Sequence, residues 1–336
     1  MGKGSRELAA QRNALRVFNT HMNLGKKSPF GKISADFGWV VELETTRRKQ
    51  RSAGMSFAFN FHAGPPTSPL SDAPPPAPPP APAQHALQLV PFPSPSSFPA
   101  LSFSPLPGFP RLLRAQPPDA DAISGAPSLD VVPGLYEGGA KVWECTADLL
   151  ALLLGGGAPA LSSRLPGARV LDLGCGGGLL GAAALLGGAA EVTLQDLNAP
   201  VLLRLAAPNV ARNAGAGAAA RAALLAGSWE AMLAALRGGG GGEAGAHLRR
   251  GFDVVLSSET LYREEAHGTL AALLAALLRP GGVALLAAKR FYFGVGGGTR
   301  RFMAAAAPAA GLRCEVLAVV EDGRSNVREV LRVERG

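Results

Sequence analysis

Cysteine is scarce in this chain of 336 residues: Cys145, Cys175 and Cys314 are all it has, and no two form a Cys-x-x-Cys pair. An odd, scattered set builds neither a disulfide framework nor a zinc site, which favours a reducing compartment. The histidines (His21, His62, His85, His247, His267) are equally dispersed, so no metal centre is expected and each is assigned to a solvated or loop position. Long apolar runs are lacking as well. No stretch approaches the ~18 uninterrupted residues that a membrane-spanning helix needs. The N-terminus lacks the cationic start, apolar core and small-residue cleavage site of a secretory signal. Charged residues make up only 17% and aromatics 6%. The net charge of +8 is unevenly spread, because residues 1–54 carry 11 Lys/Arg against 4 Asp/Glu and the rest is nearly neutral. A folded part without a basic face argues against nucleic acid as its primary partner.

What is abundant is glycine and proline, 71 residues together. Residues 65–118 hold 19 of the 28 prolines. Proline fixes φ and removes a donor, so 65–127 is expected to be a disordered linker. Before it lie a basic extension, 1–54, expected to be disordered, and a short apolar motif at 55–64 in which Phe57, Phe59 and Phe61 alternate like a strand or a docking peptide. From about residue 128 the texture changes to one folded domain. Strands are expected at 169–173, 191–195, 222–226, 252–257, 282–288, 312–320 and 326–333, with helices near 178–187, 199–213, 229–237, 264–278 and 299–309. Apolar strands each followed by a helix indicate a parallel sheet covered on both faces. The last two strands flank the turn residues Glu321–Arg324 and read as an antiparallel hairpin. The glycine run at 238–247 reads as a flexible insertion. The fold class is therefore α/β: a seven-stranded, mostly parallel, doubly wound Rossmann-like sheet with a C-terminal antiparallel hairpin.

The sharpest motif is VLDLGCGGGLLG at 170–181, an apolar strand running through Asp172 into Gly174, Gly176 and Gly178 and then a helix. Glycines let the backbone approach a ligand, and the helix start offers free N–H groups. Dinucleotide sites prefer G-x-G-x-x-G; the G-x-G-x-G spacing with an acid at the strand end is the arrangement of S-adenosylmethionine (AdoMet) enzymes. Asp196, 24 residues after Asp172, ends the next strand, where an acid accepts ribose hydroxyls; capping a helix is its bland alternative. Ser228 and Trp229 end the third strand, where the indole either stacks on adenine or packs in the core. Ser257 to Tyr262 end the fourth, and Glu259 and Tyr262, spaced i and i+3, face the expected transfer site. An adenine-N6 methyltransferase is disfavoured, since no N/D-P-P-Y element is present.

Together these segments resemble the seven-strand class of AdoMet-dependent methyltransferases. GLYEGGAKVWECTADLL (134–150), SSETLY (257–262) and AAKRFYFGVGGGTRRF (287–302) are similar to motifs of the histidine protein methyltransferase family. MSFAFNF (55–61) resembles that family's usual start, which makes Met55 the expected initiator and 1–54 an extension or a gene-model artefact. The resemblance covers roughly 130–336 and implies an AdoMet-dependent methyltransferase domain over 128–336. It implies a cofactor shell of Val142, Trp143, Glu144, Cys145, Thr146, Gly174, Gln195, Asp196, Leu197, Gly227, Ser228, Trp229 and Ser258, beside Asp172, Gly176 and Gly178. Two departures lie at the adenosine side: Gly-Ser-Trp lacks a middle acid, and Leu197 replaces an aromatic.

The resemblance further implies methylation of a histidine of a large-subunit ribosomal protein at the ring nitrogen distal to the backbone (tele), affecting translation or ribosome assembly, in cytoplasm and nucleus, including the nucleolus. The partner is then a protein, with no membrane involved. Imidazole is largely neutral at pH 7 and needs orientation more than activation. Glu259 is expected to orient it, with Tyr262 as the other catalytic residue and Phe291, Tyr292 and Phe293 framing the substrate. Lysine methylation and a non-catalytic AdoMet-binding adaptor are the alternatives.

Overall fold

The structure, a computed structural model, describes residues 32–34, 86–116 apart from 95, 97, 99 and 100, residue 131, and 136–336 apart from 156–158, 216 and 324. The expected basic extension (32–34 aside), the apolar motif at 55–64 and the proline-rich residues 65–85 and 117–127 lie outside the described residues.

The strands are β1 (Lys32–Ser34), β2 (Gln88–Val90), β3 (Ser102–Leu106), β4 (Phe109–Gln116), β5 (Arg169–Leu173), β6 (Glu191–Asp196), β7 (Ala222–Ala226), β8 (Phe252–Ser258), β9 (Leu278–Lys289), β10 (Leu312–Glu321) and β11 (Arg328–Arg335). The principal helices are α1 (Glu144–Leu154), α2 (Leu179–Leu186), α3 (199–214), α4 (Trp229–Arg237), α5 (Gly242–Arg249), α6 (His267–Leu277) and α7 (299–309). One sheet runs in the order β1-β10-β11-β9-β8-β5-β6-β7-β2, and β3 and β4 pair separately. The five strands β5 to β9 are mutually parallel, while β10 and β11 form the antiparallel hairpin beside β9. Strand order reverses between β5 and β8, so ligands are received at the carboxyl ends of those strands.

Alternation along the strands assigns each side chain to a layer. Val170, Val192, Leu224, Val254 and Leu285 point into a core shared with α1, α2 and α3, whereas Leu171, Leu225, Val255 and Leu286 point into one shared with α4, α6 and α7. Each fully buried leucine or phenylalanine contributes about 2–3 kcal/mol of transfer free energy. Helices α3 and α7 share an unusual device. Each contains a π turn, Leu202–Ala206 and Phe302–Ala306, two residues ahead of a proline, Pro208 and Pro308. Proline lacks the N–H for the regular ladder and crowds the preceding turn, and the wider turn relieves both problems.

Three expectations need correction. Residues 88–90 and 102–116 are not unstructured linker. Leu106, Phe109 and Leu112 of the β3–β4 hairpin are buried in the first core, and β2 pairs antiparallel with β7. Two-stranded and edge positions tolerate missing donors, so prolines there do not forbid strands. The glycine-rich run at 238–247 is partly helical, because Ala244 and Leu248, four apart on α5, are buried. The last two histidines are not solvated: buried His267 donates to the Leu261 carbonyl (3.0 Å), and burial next to Arg169 lowers the pKa of His247 to about 4. Among the described residues no helix is long and apolar enough to cross a membrane, and no cluster of three metal-ligating side chains occurs.

Candidate functional site

At the carboxyl ends of β5 and β6 the glycine loop is held by side chains of the neighbouring strand. The Gly176 N–H donates to Asp196 Oδ2 (3.0 Å), and the Asn198 N–H donates to Oδ1 of the same carboxylate (3.0 Å). Gln195 ties three strand ends together. Its Oε1 accepts from the Gly174 N–H (3.1 Å) and the Trp229 indole N–H (3.2 Å), while its Nε2 donates to the Gly227 carbonyl (2.9 Å). Gly176 has φ +50°, and a Cβ there would stand 2.9 Å from the Gly139 carbonyl. Only glycine lets the segment that precedes α1 lie directly on this loop. Burial raises the Asp196 carboxyl to about 6, against the backbone donors that favour its charge.

Beyond β8 the chain turns at Glu259, which has φ +58° and is the only non-glycine at positive φ among the described residues. Such a conformation costs roughly 1 kcal/mol and is kept where the surroundings dictate it. Here they do. The Glu259 N–H donates to the Ala287 carbonyl (2.8 Å), the side chain is 6% exposed, and the Tyr292 hydroxyl donates to its Oε2. Oε1 has no hydrogen-bond partner and lies 4.0 Å from Lys289 Nζ, which pairs at 3.0 Å with Glu144. Burial draws the Lys289 pKa down, but Glu259 and Glu144 outweigh it and the net shift is upward. Burial, reinforced by the Glu259 charge, pushes the Tyr292 phenol well up, so it remains a donor. Tyr262 meets Tyr292 edge to face at 6.3 Å between ring centroids.

Most of the residues expected in the site converge. Thr146 and Ser258 share a hydrogen bond of 2.8 Å, joining the start of α1 to the end of β8. Trp143 donates to the Gly138 carbonyl (3.1 Å) under the Lys141 ammonium, Val142 packs partly buried against the first core, and Leu197 is half-buried beside Asp196. Four residues are placed otherwise. Asp172 is buried and accepts from the Gly181 N–H (2.8 Å), so it braces α2 from beneath. A Cβ on Gly178 would meet Ala206 of α3 at 3.0 Å, making this a helix-packing glycine. The Cys145 side chain is wholly buried, and burial and Glu259 push its thiol well up. Ser228 caps α4 through the Ala231 N–H (3.2 Å). The Trp229 ring, by contrast, reaches the cofactor loop: its Cζ2 is 4.0 Å from the place of a Cβ on Gly174.

Sequence reasoning missed Asn209 and Lys289. Asn209, 3% exposed, accepts from the Ala115 N–H of β4 (2.6 Å) and donates to the Gly177 carbonyl (2.7 Å), so the N-terminal hairpin touches the glycine loop through one amide. Asn213, one turn later, binds both the N–H and the carbonyl of Leu113 (2.7 Å each). Their i, i+4 spacing on one helix face was the available signal.

A family model described as lysine methyltransferase matches residues 134–302, half of the chain. The chain belongs to the lysine methyltransferase family. It is 37% identical over 204 residues to the Histidine protein methyltransferase 1 homolog of Dictyostelium discoideum, covering 61% of this chain and 60% of that one. It is 34% identical over 215 residues to the protein of the same name from Rattus norvegicus, covering 58% and 56%. The match thus spans less than two thirds of the relatives' length. Among solved structures, it is similar to magnesium protoporphyrin IX methyltransferase from Synechocystis PCC 6803 with bound SAH, at TM-score 0.38 and 17% identity over 56% of this chain and 81% of that one. The cofactor of this methyltransferase fold is AdoMet, and the residues present fit it: a turn whose Gly174 and Gly176 carry no side chains of their own, an acid at the end of β6 that holds the turn, and an indole beside them.

Proposed function

We propose that this chain is a protein-histidine N-methyltransferase that modifies the tele nitrogen of a histidine in a large-subunit ribosomal protein, with a consequence for translation or ribosome assembly. It acts in the cytoplasm and the nucleus, including the nucleolus. The observation that carries the reading is Glu259: a carboxylate fixed by a left-handed turn and by Tyr292, with Oε1 buried and not hydrogen-bonded. The names of the relatives support histidine as the acceptor.

AdoMet, when bound, supplies an electrophilic methyl group on a sulfonium centre. Gly174, Gly176, Gln195, Asp196 and Trp229 would hold it. Glu259 accepts the N–H of the imidazole nitrogen nearer the backbone, which fixes the tautomer whose distal nitrogen keeps its lone pair. The same carboxylate then stabilises the positive charge that methylation leaves on the ring. Tyr292 holds Glu259, and Tyr262 walls the ring from water. Orientation of this kind is worth several kcal/mol of barrier. The family description favours lysine as the second reading.

The test is to incubate the purified chain with methyl-labelled AdoMet and large ribosomal subunits from cells lacking it, then hydrolyse the protein and separate the amino acids. Label in tele-methylhistidine is the expected result. Label in methyllysine makes the lysine reading the correct one, and no label leaves a non-catalytic AdoMet-binding adaptor.

A further inference from the structure

The 290–298 loop, which carries Tyr292, is closed by one carboxylate from β11, the strand paired with β9. Glu329 of β11 is 1% exposed, next to the buried Val330 and Leu331. Its Oε1 accepts from Arg290 Nε (2.8 Å) at the beginning of the loop and from Arg300 (2.6 Å) just past its end. Its Oε2 accepts from the Thr299 hydroxyl. A buried charge is tolerated only when its lone pairs are filled, and here three donors from both ends of one loop fill them. Further bonds stitch the loop to the segment after β8: the Gly297 N–H donates to the Tyr262 carbonyl (3.2 Å) and the Gly298 N–H to that of Leu261 (2.8 Å). On the other side, Asn326 donates to the Phe291 carbonyl (3.2 Å).

The loop sends one aromatic inward and two outward. Tyr292 donates to Glu259, while Phe291 and Phe293 are 49% and 79% exposed. We propose that Glu329 is a positioning residue for the protein substrate. By clamping both ends of the loop it sets the Tyr292–Glu259 bond and presents Phe291 and Phe293 as the edge against which the acceptor protein docks. The inference rests on the methyl-transfer reading above for its consequence, though not for the clamp itself.

Arg290 and Arg300 have side chains 28% and 41% exposed. Loss of the carboxylate charge therefore lets both swing to water instead of stranding a buried cation, and the domain survives. Glu329→Gln should speed amide hydrogen exchange in 291–298 by about tenfold, the scale of one charge-assisted hydrogen bond. Exchange in β5 and the dissociation constant for AdoMet should stay within about twofold. The KM for large ribosomal subunits should rise by about tenfold or more, with a smaller change in kcat. Thr299→Val, which removes one donor and leaves the ion pairs, should move the same readouts less. Unchanged exchange in 291–298 overturns the clamp. Faster exchange there with an unchanged KM overturns the docking role. Exchange rising equally in β5, with weaker AdoMet binding, makes Glu329 a structural residue only. If wild-type protein labels no histidine, the functional reading fails while the exchange measurement still decides the clamp.

Discussion

The two halves of the site are built from different materials. On β5, β6 and β7 the cofactor half is mostly backbone: N–H groups of Gly174 and Gly176 and the Gly227 carbonyl, organised by Gln195 and Asp196. All of it lies within about one β-α-β-α-β stretch of sequence. On β8, β9 and β11 the half proposed to receive the acceptor is charge on charge. Glu259, Lys289 and Glu144 form one group and Glu329, Arg290 and Arg300 another, drawn from segments far apart in the chain. A site that reads a nucleoside can be made from local turn geometry. A site that orients a protein side chain needs a fixed carboxylate, and a buried carboxylate must collect its partners from wherever the fold supplies them.

The largest effect should come from breaking the backbone half. Gly176→Ala places a methyl 2.9 Å from the Gly139 carbonyl at φ +50°. We expect AdoMet binding by calorimetry to weaken at least about a hundredfold, equivalent to ~3 kcal/mol of strain. Binding within threefold of wild type would show that the segment before α1 does not rest on the loop. The charged half should respond oppositely. Glu259→Gln should leave AdoMet affinity within about twofold and lower kcat by roughly a hundredfold, the usual loss when a proton-handling group is removed. Full turnover by this variant would remove Glu259 from the reaction.

The same division explains what the sequence disclosed. The strand ending in Asp172 and the glycine turn form a contiguous pattern, so the loop, its sheet and the strand-two acid were legible. Asp172 and Gly178 were located correctly but given the wrong neighbours, because a turn motif does not say which side of the loop an atom faces. Glu329 was invisible. It is one of five charged residues in β11, and its three partners are defined only once β9 and β11 pair. The β3–β4 hairpin was masked by Pro105, Pro107 and Pro110, whose local bias is overridden by burial of Leu106, Phe109 and Leu112.

That hairpin offers an intermediate test, since it joins the cofactor half through a side chain rather than through the motif. Asn209→Ala leaves the Ala115 N–H and the Gly177 carbonyl without partners, at a cost of about 1–3 kcal/mol in stability. AdoMet affinity should fall about tenfold, because the loop loses a brace. Asn213→Ala removes bonds to Leu113 and to the Asn209 carbonyl but none to the glycine loop, so it should destabilise without the loss of affinity. Equal effects on binding from the two variants would mean that the hairpin acts through α3 as a whole.

The last effect is a slope in pH. Burial lifts the Asp172 carboxyl from its ordinary 3.8 to about 8, although the Gly181 N–H favours the charged form. In the unfolded chain the group ionises near 3.8, so between the two values the native state holds a proton that the unfolded state has released. The resulting stabilisation is complete below 3.8 and is lost as pH rises through about 8. Asn has nearly the same shape, still accepts from Gly181 and cannot titrate. Asp172→Asn should therefore lie within about 1 kcal/mol of wild type at pH 5 and lose less stability than wild type on moving to pH 8.5. Urea unfolding across that range reads the difference directly. Parallel profiles would mean that Asp172 is ionised in the native protein. It would then be a charged member of the cofactor half, and that half would no longer be held by backbone and neutral groups around a single acid.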